Sequence, residues 1–97
     1  MKIIWSPLAL DRIAEISQYI SKDSPAAARK WIDTVFNKVE TLTNFPEMGR
    51  MVPEANRKEI RELLIKNYRV IYRIKDEQIS ILTVRHGKQL LPKEDLK

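Results

Sequence analysis

Cysteine is absent from the 97 residues, which excludes disulfide staples and thiolate metal sites. Glycine occurs only twice and histidine once. That leaves no Gly-rich loop to cradle phosphate, no His/Cys/Asp cluster to hold a metal, and no arrangement with the look of a Ser-His-Asp set. No apolar run approaches the roughly 20 residues needed to cross a bilayer, and the opening MKIIW is too short for a signal peptide. The expectation is a cytoplasmic protein that meets no membrane and needs no metal or other cofactor.

What is present is an ordinary globular composition, 43% hydrophobic and without low-complexity tracts. Residues 1–97 are expected to form a single domain, of a size that buries only about 60 to 65% of its unfolded surface. Disorder is expected at most in the last few residues. Charge is unevenly spread. Residues 1–56 carry seven Lys/Arg and seven Asp/Glu, whereas residues 57–97 carry eleven against six, so the whole net charge of +5 lies in the C-terminal part. Such asymmetry suits a polyanion, either nucleic acid or an acidic protein segment, or else a soluble basic surface with no ligand.

The element signals are clear. KIIW reads as a short first strand, and Ser6-Pro7 follows as N-cap and first helical residue. Ala9, Ile13, Ile16 and Ile20 then form one helical stripe. Ser24-Pro25 repeats the start signal, and Ala28, Trp31 or Ile32, Val35, Val39 and Leu42 give a second stripe running to about Phe45, before Pro46. An antiparallel helical hairpin is expected over 7–45 and an irregular loop over 46–56, where two prolines and a glycine fall. Three β-rich runs follow, EIRELLI, YRVIYRI and QISILTV, separated by KN and KDE, so a meander is expected over 57–87 and a tail over 88–97. The fold class is α+β, in the order β-α-α-β-β-β, with the hairpin packed on one face of a small, mainly antiparallel sheet.

Two arginines inside the most strand-like run need explaining. Alternation puts Tyr68, Val70, Tyr72 and Ile74 on one face and Arg69, Ile71 and Arg73 on the other. With the first set facing the helices, Arg69 and Arg73 point outward, joined by Arg61 and by Arg85 or His86, according to a register that the sequence leaves open. That outer face reads in two ways. It is a solvated surface whose arginines pair with Glu59 or Glu62, or an anion-binding surface of bidentate guanidiniums with Lys88 beside them. His86 adds the one imidazole, the side chain suited to moving protons near neutrality. Tyr68, Tyr72, Trp5 and Trp31 read as core. Any catalysis would be of the ribonuclease kind, with Arg, Lys and His stabilising a pentacovalent phosphate.

Taken in order, WSPLALDRIAEISQYI, SPAAARKWIDTV, LTNFPEMGRMVPE, IRELLIKNYRVIYRI and ILTVRHGKQ resemble the RelE/ParE superfamily of type II toxin-antitoxin toxins, over residues 3 to about 89. The resemblance implies a small βααβββ toxin neutralised by a cognate antitoxin, whose acidic and apolar segment would pack on the helical hairpin and reach the basic sheet. Operator binding would belong to the antitoxin. The superfamily divides by target. IRELLIKNYRVIYRI and VRHGKQ look more like the ParE branch, which acts on DNA gyrase through protein contact, with the segment from His86 to Lys97 and the hairpin carrying the activity. In a RelE-like mRNA endonuclease working on the ribosome, Arg61, Arg69, Arg85 and His86 would be the catalytic set, with Glu59 or Glu62 as base. This chain lacks that branch's Lys-rich first meander strand and a Tyr after Arg85. A third reading is an inactive homologue that only binds its antitoxin.

Overall fold

Each helix starts where a serine precedes a proline. The Ser6 hydroxyl accepts from the Ala9 N–H at 3.0 Å, and Ser24 does the same for Ala27 at 3.1 Å. Helix α1 spans Pro7–Ser21 and helix α2 spans Pro25–Glu40. The expected continuation of α2 to Phe45 does not occur: the chain passes into a 3-10 turn at Thr41–Thr43. Threonine is a weak helix former, and the Thr41 hydroxyl donates to the Lys38 carbonyl at 2.6 Å, offering the backbone a local alternative.

The computed structural model describes residues 1–96; Lys97, last in the expected tail, lies outside them. Its strands are β1 (Lys2–Trp5), β2 (Arg50–Met51), β3 (Ile60–Ile65), β4 (Tyr68–Lys75) and β5 (Gln78–His86). They form one sheet in the order β1-β5-β4-β3-β2, with β1 parallel to β5 and the other neighbours antiparallel. The architecture is therefore the expected α+β arrangement of two helices on a mainly antiparallel sheet. One element was not anticipated. Strand β2 lies inside the stretch read as irregular loop, where its two residues pair with Arg61 and Glu62; so short a strand leaves no periodic signal.

Register decides which side chains meet. The two-residue loop Lys66-Asn67 pairs Ile65 with Tyr68, and Asp76-Glu77, both at positive φ, pairs Lys75 with Gln78. Between Ile71 and Tyr72 the β5 partner jumps from Thr83 to Ile81, so Leu82 is an extra residue. That bulge flips the parity of β5 half-way along. Ile79 and Ile81 face the helices before it, and Val84 and His86 do so after it.

Both faces of the sheet are covered. On the helix side Ala9, Ile13, Trp31, Val35, Val39 and Leu42 close over Leu63, Ile65, Val70, Tyr72, Ile79, Ile81 and Val84. Trp5 and Tyr68 pack at the margin. On the other side a smaller core joins Ile60, Ile71 and Leu82 to Val52, Leu91 and Leu96. The tail thus folds back as a strap, ending in a 3-10 turn at Lys93–Leu96.

Candidate functional site on the capped face of the sheet

The sheet face turned away from the helices carries Ile60, Glu62 and Leu64 of β3, Arg69, Ile71 and Arg73 of β4, and Leu82, Thr83 and Arg85 of β5. Because Arg69 stands opposite Arg85, and Tyr68 opposite His86, Arg85 shares the arginine face and His86 belongs to the helix side. The expectation of an open basic surface is not met. Arg69 is only 5% exposed.

Its guanidinium is consumed by acids. Nε donates to Glu62 Oε1 at 2.6 Å, Nη1 and Nη2 reach both oxygens of Glu54 at 2.8 Å, and Nη1 also donates to the Gln89 carbonyl at 3.1 Å. Glu62, itself buried, accepts a second guanidinium from Arg50 at 2.5 Å. The result is a chain, Arg50-Glu62-Arg69-Glu54, that ties β2 and β3 to β4, the 52–56 loop and the strap. The fork-to-fork hydrogen bonds from Arg69 hold the Glu54 carboxyl at about 2, far below the usual carboxylate range, against a smaller upward push from desolvation. The same bonds raise the Arg69 pKa further.

The remaining sequence candidates are scattered. Arg85 donates to Asp95 of the strap at 2.9 Å, while its Nε has no partner among the described residues. Arg73 lies between Ile60 and Ser80, and neither its Nε nor the buried Thr83 hydroxyl has a partner among the described residues. Arg61 is not on this face. It stands opposite Tyr72, on the helix side with Leu63 and Ile65, and donates to the carbonyls of Gly49 at 2.9 Å and Lys58 at 3.1 Å. The physical reason is parity, since the Ile65–Tyr68 pairing forces every odd β3 residue onto the face of even β4 residues. Glu59 is held below its ordinary range by Arg57, its partner at 2.6 Å. Glu62 is committed between two arginines.

His86 contacts the Tyr68 ring edge-on at 5.6 Å, and its Nδ1 accepts from the Lys88 N–H at 3.2 Å. Nδ1 is thereby an acceptor. A cleft of about 290 Å³ opens here between α1 and the end of β5, lined by Arg12, Glu15, Tyr19, Tyr68, His86 and Gln89 among others. Lys88 is exposed beside it. No His/Cys/Asp/Glu group suited to a metal ion occurs among the described residues, and no helix among them is long and apolar enough to cross a membrane.

Glu54, Asp95 and Gln89 were missed as partners of the arginines, and Arg50 as a second partner of Glu62. The tail did carry one signal, leucines at 90, 91 and 96 among charged residues, of which Leu91 and Leu96 are the two that bury.

The chain matches the family described as "ParE toxin of type II toxin-antitoxin system, parDE" over residues 3–91. It is a ParE-family toxin. Among its relatives, "Putative toxin Y4kP" of Sinorhizobium fredii is 37% identical over 93 residues, covering 94% of this chain and 93% of that protein. "Toxin RelE2" of Caulobacter vibrioides is 28% identical, covering 92% and 98%. A solved structure titled "Chromosomal ParDE TA system from P. aeruginosa" has the same fold, with a TM-score of 0.74, 21% identity, and coverage of 91% of this chain and 97% of that one. The RelE/ParE resemblance of the five sequence segments is thus correct, and membership implies a cognate antitoxin.

Proposed function

We propose that this ParE-family toxin arrests growth by binding DNA gyrase through protein contact and that it has no hydrolytic centre of its own. The observation that carries this reading is the state of its arginines. A ribonuclease of this size would present several guanidiniums, unpaired and converging on one phosphate, beside an acid-base group. Here Arg69 is locked between two glutamates, Arg85 is held by Asp95, Arg61 is on the opposite face, and His86 faces away from Arg69.

The antitoxin covers the helical hairpin, whose outer surface leaves Leu10, Tyr19 and Phe36 exposed. An acidic and apolar segment suits that surface and the net positive charge. Supercoiling by purified gyrase and primer extension on ribosomes translating a defined message test the reading side by side. Inhibited supercoiling with an intact message is the expected result. Codon-phased cuts lost in Arg69→Lys, with folding retained, would instead make the protein an endonuclease. Absence of both activities and of growth arrest, with antitoxin binding intact, would make it an inactive homologue.

A further inference from the structure

The edge of the sheet at β3 is left open. In an antiparallel ladder, bonded and non-bonded residues alternate. The Ile74 N–H donates to the Glu59 carbonyl and the Gly87 N–H to the Asn67 carbonyl, so Arg61, Leu63 and Ile65 direct their backbone groups toward β4. Ile60, Glu62 and Leu64 direct theirs the other way, where Val52 donates to Ile60 and Arg50 pairs with Glu62. Leu64 would be next, opposite Met48. Strand β2 has ended by then, and the Met48 N–H turns back to the Phe45 carbonyl. The N–H and C=O of Leu64 therefore face outward without a ladder partner among the described residues.

This open position is surrounded by exposed apolar side chains on rigid supports. Leu64 is 52% exposed, Met48 50% and Phe45 65%. Their loop is not loose. The Tyr72 hydroxyl donates to the Pro46 carbonyl at 2.7 Å and accepts the Gly49 N–H at 2.9 Å, while Arg61 holds the Gly49 carbonyl. Three adjoining depressions run along the edge and share residues. Met48 lies in two of them, and Arg50 and Leu64 link the second to the third, which reaches His86 and Lys88. Cations line this groove in excess: Lys38, Lys66 and Lys88 stand against Glu47, with Arg50 and Glu62 already paired to each other.

We infer that the groove along β3 is a second protein-docking surface, taking an extended segment of an acidic partner that adds a strand at Leu64. Alternating side chains of such a strand would set apolar groups against Leu64 and Met48 and carboxylates toward Lys66 and Lys88. This surface is distinct from the outer face of the helical hairpin, and the inference holds whether or not gyrase is the target.

The probe is a fluorescein-labelled octapeptide alternating valine and glutamate, titrated against the full chain by fluorescence polarisation, with amide exchange read at Leu64. Saturable binding in the range of about 10 to 100 μM is expected, corresponding to a weak single-strand contact. Leu64 amide exchange should slow on binding. N-methylation of alternate peptide amides, or lysine in place of glutamate, should abolish binding. Leu64→Glu and Met48→Glu, both at exposed positions, should each weaken it at least about tenfold, while Tyr19→Glu on α1 leaves it unchanged. The inference is overturned by the absence of saturable binding up to about 1 mM. It is equally overturned by binding that survives N-methylation and Leu64→Glu, or that leaves Leu64 exchange unaltered.

Discussion

Replacing Arg69 by alanine should behave as a stability mutation before it behaves as anything else. The substitution removes one of two cations from Glu62, a carboxylate with no exposed side-chain surface, and both hydrogen bonds from the Glu54 oxygens. Breaking a buried pair from one side costs about 3–5 kcal/mol, because the remaining charge stays buried and uncompensated. Against a total stability of roughly 5–15 kcal/mol for such a domain, that is a large share. At about 4–8 °C per kcal/mol, the melting temperature should fall by roughly 12–40 °C. Urea denaturation followed by circular dichroism at pH 7 measures the change. A companion variant, Arg69→Met with Glu62→Leu, removes the charge with its buried partner and should lose distinctly less than the sum of the single substitutions. A loss under about 1 kcal/mol for Arg69→Ala would refute the reasoning. It would mean that the network exchanges freely with water and that Arg69 is available to a ligand. Reduced toxicity in Arg69→Ala therefore says nothing about catalysis until the folded fraction is known.

Glu54, held at about 2 against 4.5 for a free glutamate, gives stability that is fully present above pH 4.5 and is lost as pH falls through about 2. Its side chain keeps some contact with solvent, so the loss after screening is about 1–2 kcal/mol, and Glu54→Gln should flatten the urea midpoint between pH 5 and 2. Gly49→Ala would put a Cβ 2.6 Å from both the Glu62 carbonyl oxygen and the Tyr72 hydroxyl, and should destabilise by about 1–3 kcal/mol in the same denaturation assay. Glu77 has φ 62 in the turn before β5, and Glu77→Gly should raise stability by about 1 kcal/mol by relieving a left-handed conformation. A midpoint at or below that of the parent chain would contradict that account of the turn.

The fold was legible because its signals are local. Ser-Pro at 6–7 and 24–25 marks two helix starts, a three-four spacing of apolar residues marks their buried stripes, and KN and KDE divide three β-rich runs. Nothing local separates Arg69 facing water from Arg69 facing Glu54. Alternation assigned it correctly to the face away from the helices and is silent on what covers that face. The cover comes from the 52–56 loop and the strap, distant in sequence from β4. Arg61 was misplaced because its face depends on the pairing across the 66–67 turn, and Arg85 and His86 could not be sorted because a bulge at Leu82 breaks alternation in mid-strand. The family resemblance came through where the pairing did not, since it rests on an ordered set of segments and needs no register.

The C-terminal excess of charge takes on a different meaning once the pairs are known. Arg69 and Arg85 belong to that excess, and each is answered by an acid: Glu54, from the electrically neutral first part of the chain, and Asp95, from the strap. They hold the strap and loop onto a sheet face that also buries Ile71 and Leu82, so these cations serve as clamps for a second small core. The cations left over, Lys66 and Lys88, lie along the β3 edge and the neighbouring turn. They are the charges free to select a partner. An acidic protein meeting this molecule would find them beside exposed Leu64, with the capped face closed to it. The distinction separates two sets of mutations: the clamps should alter folding and affect every activity together, and the edge cations should alter partner affinity with folding unchanged.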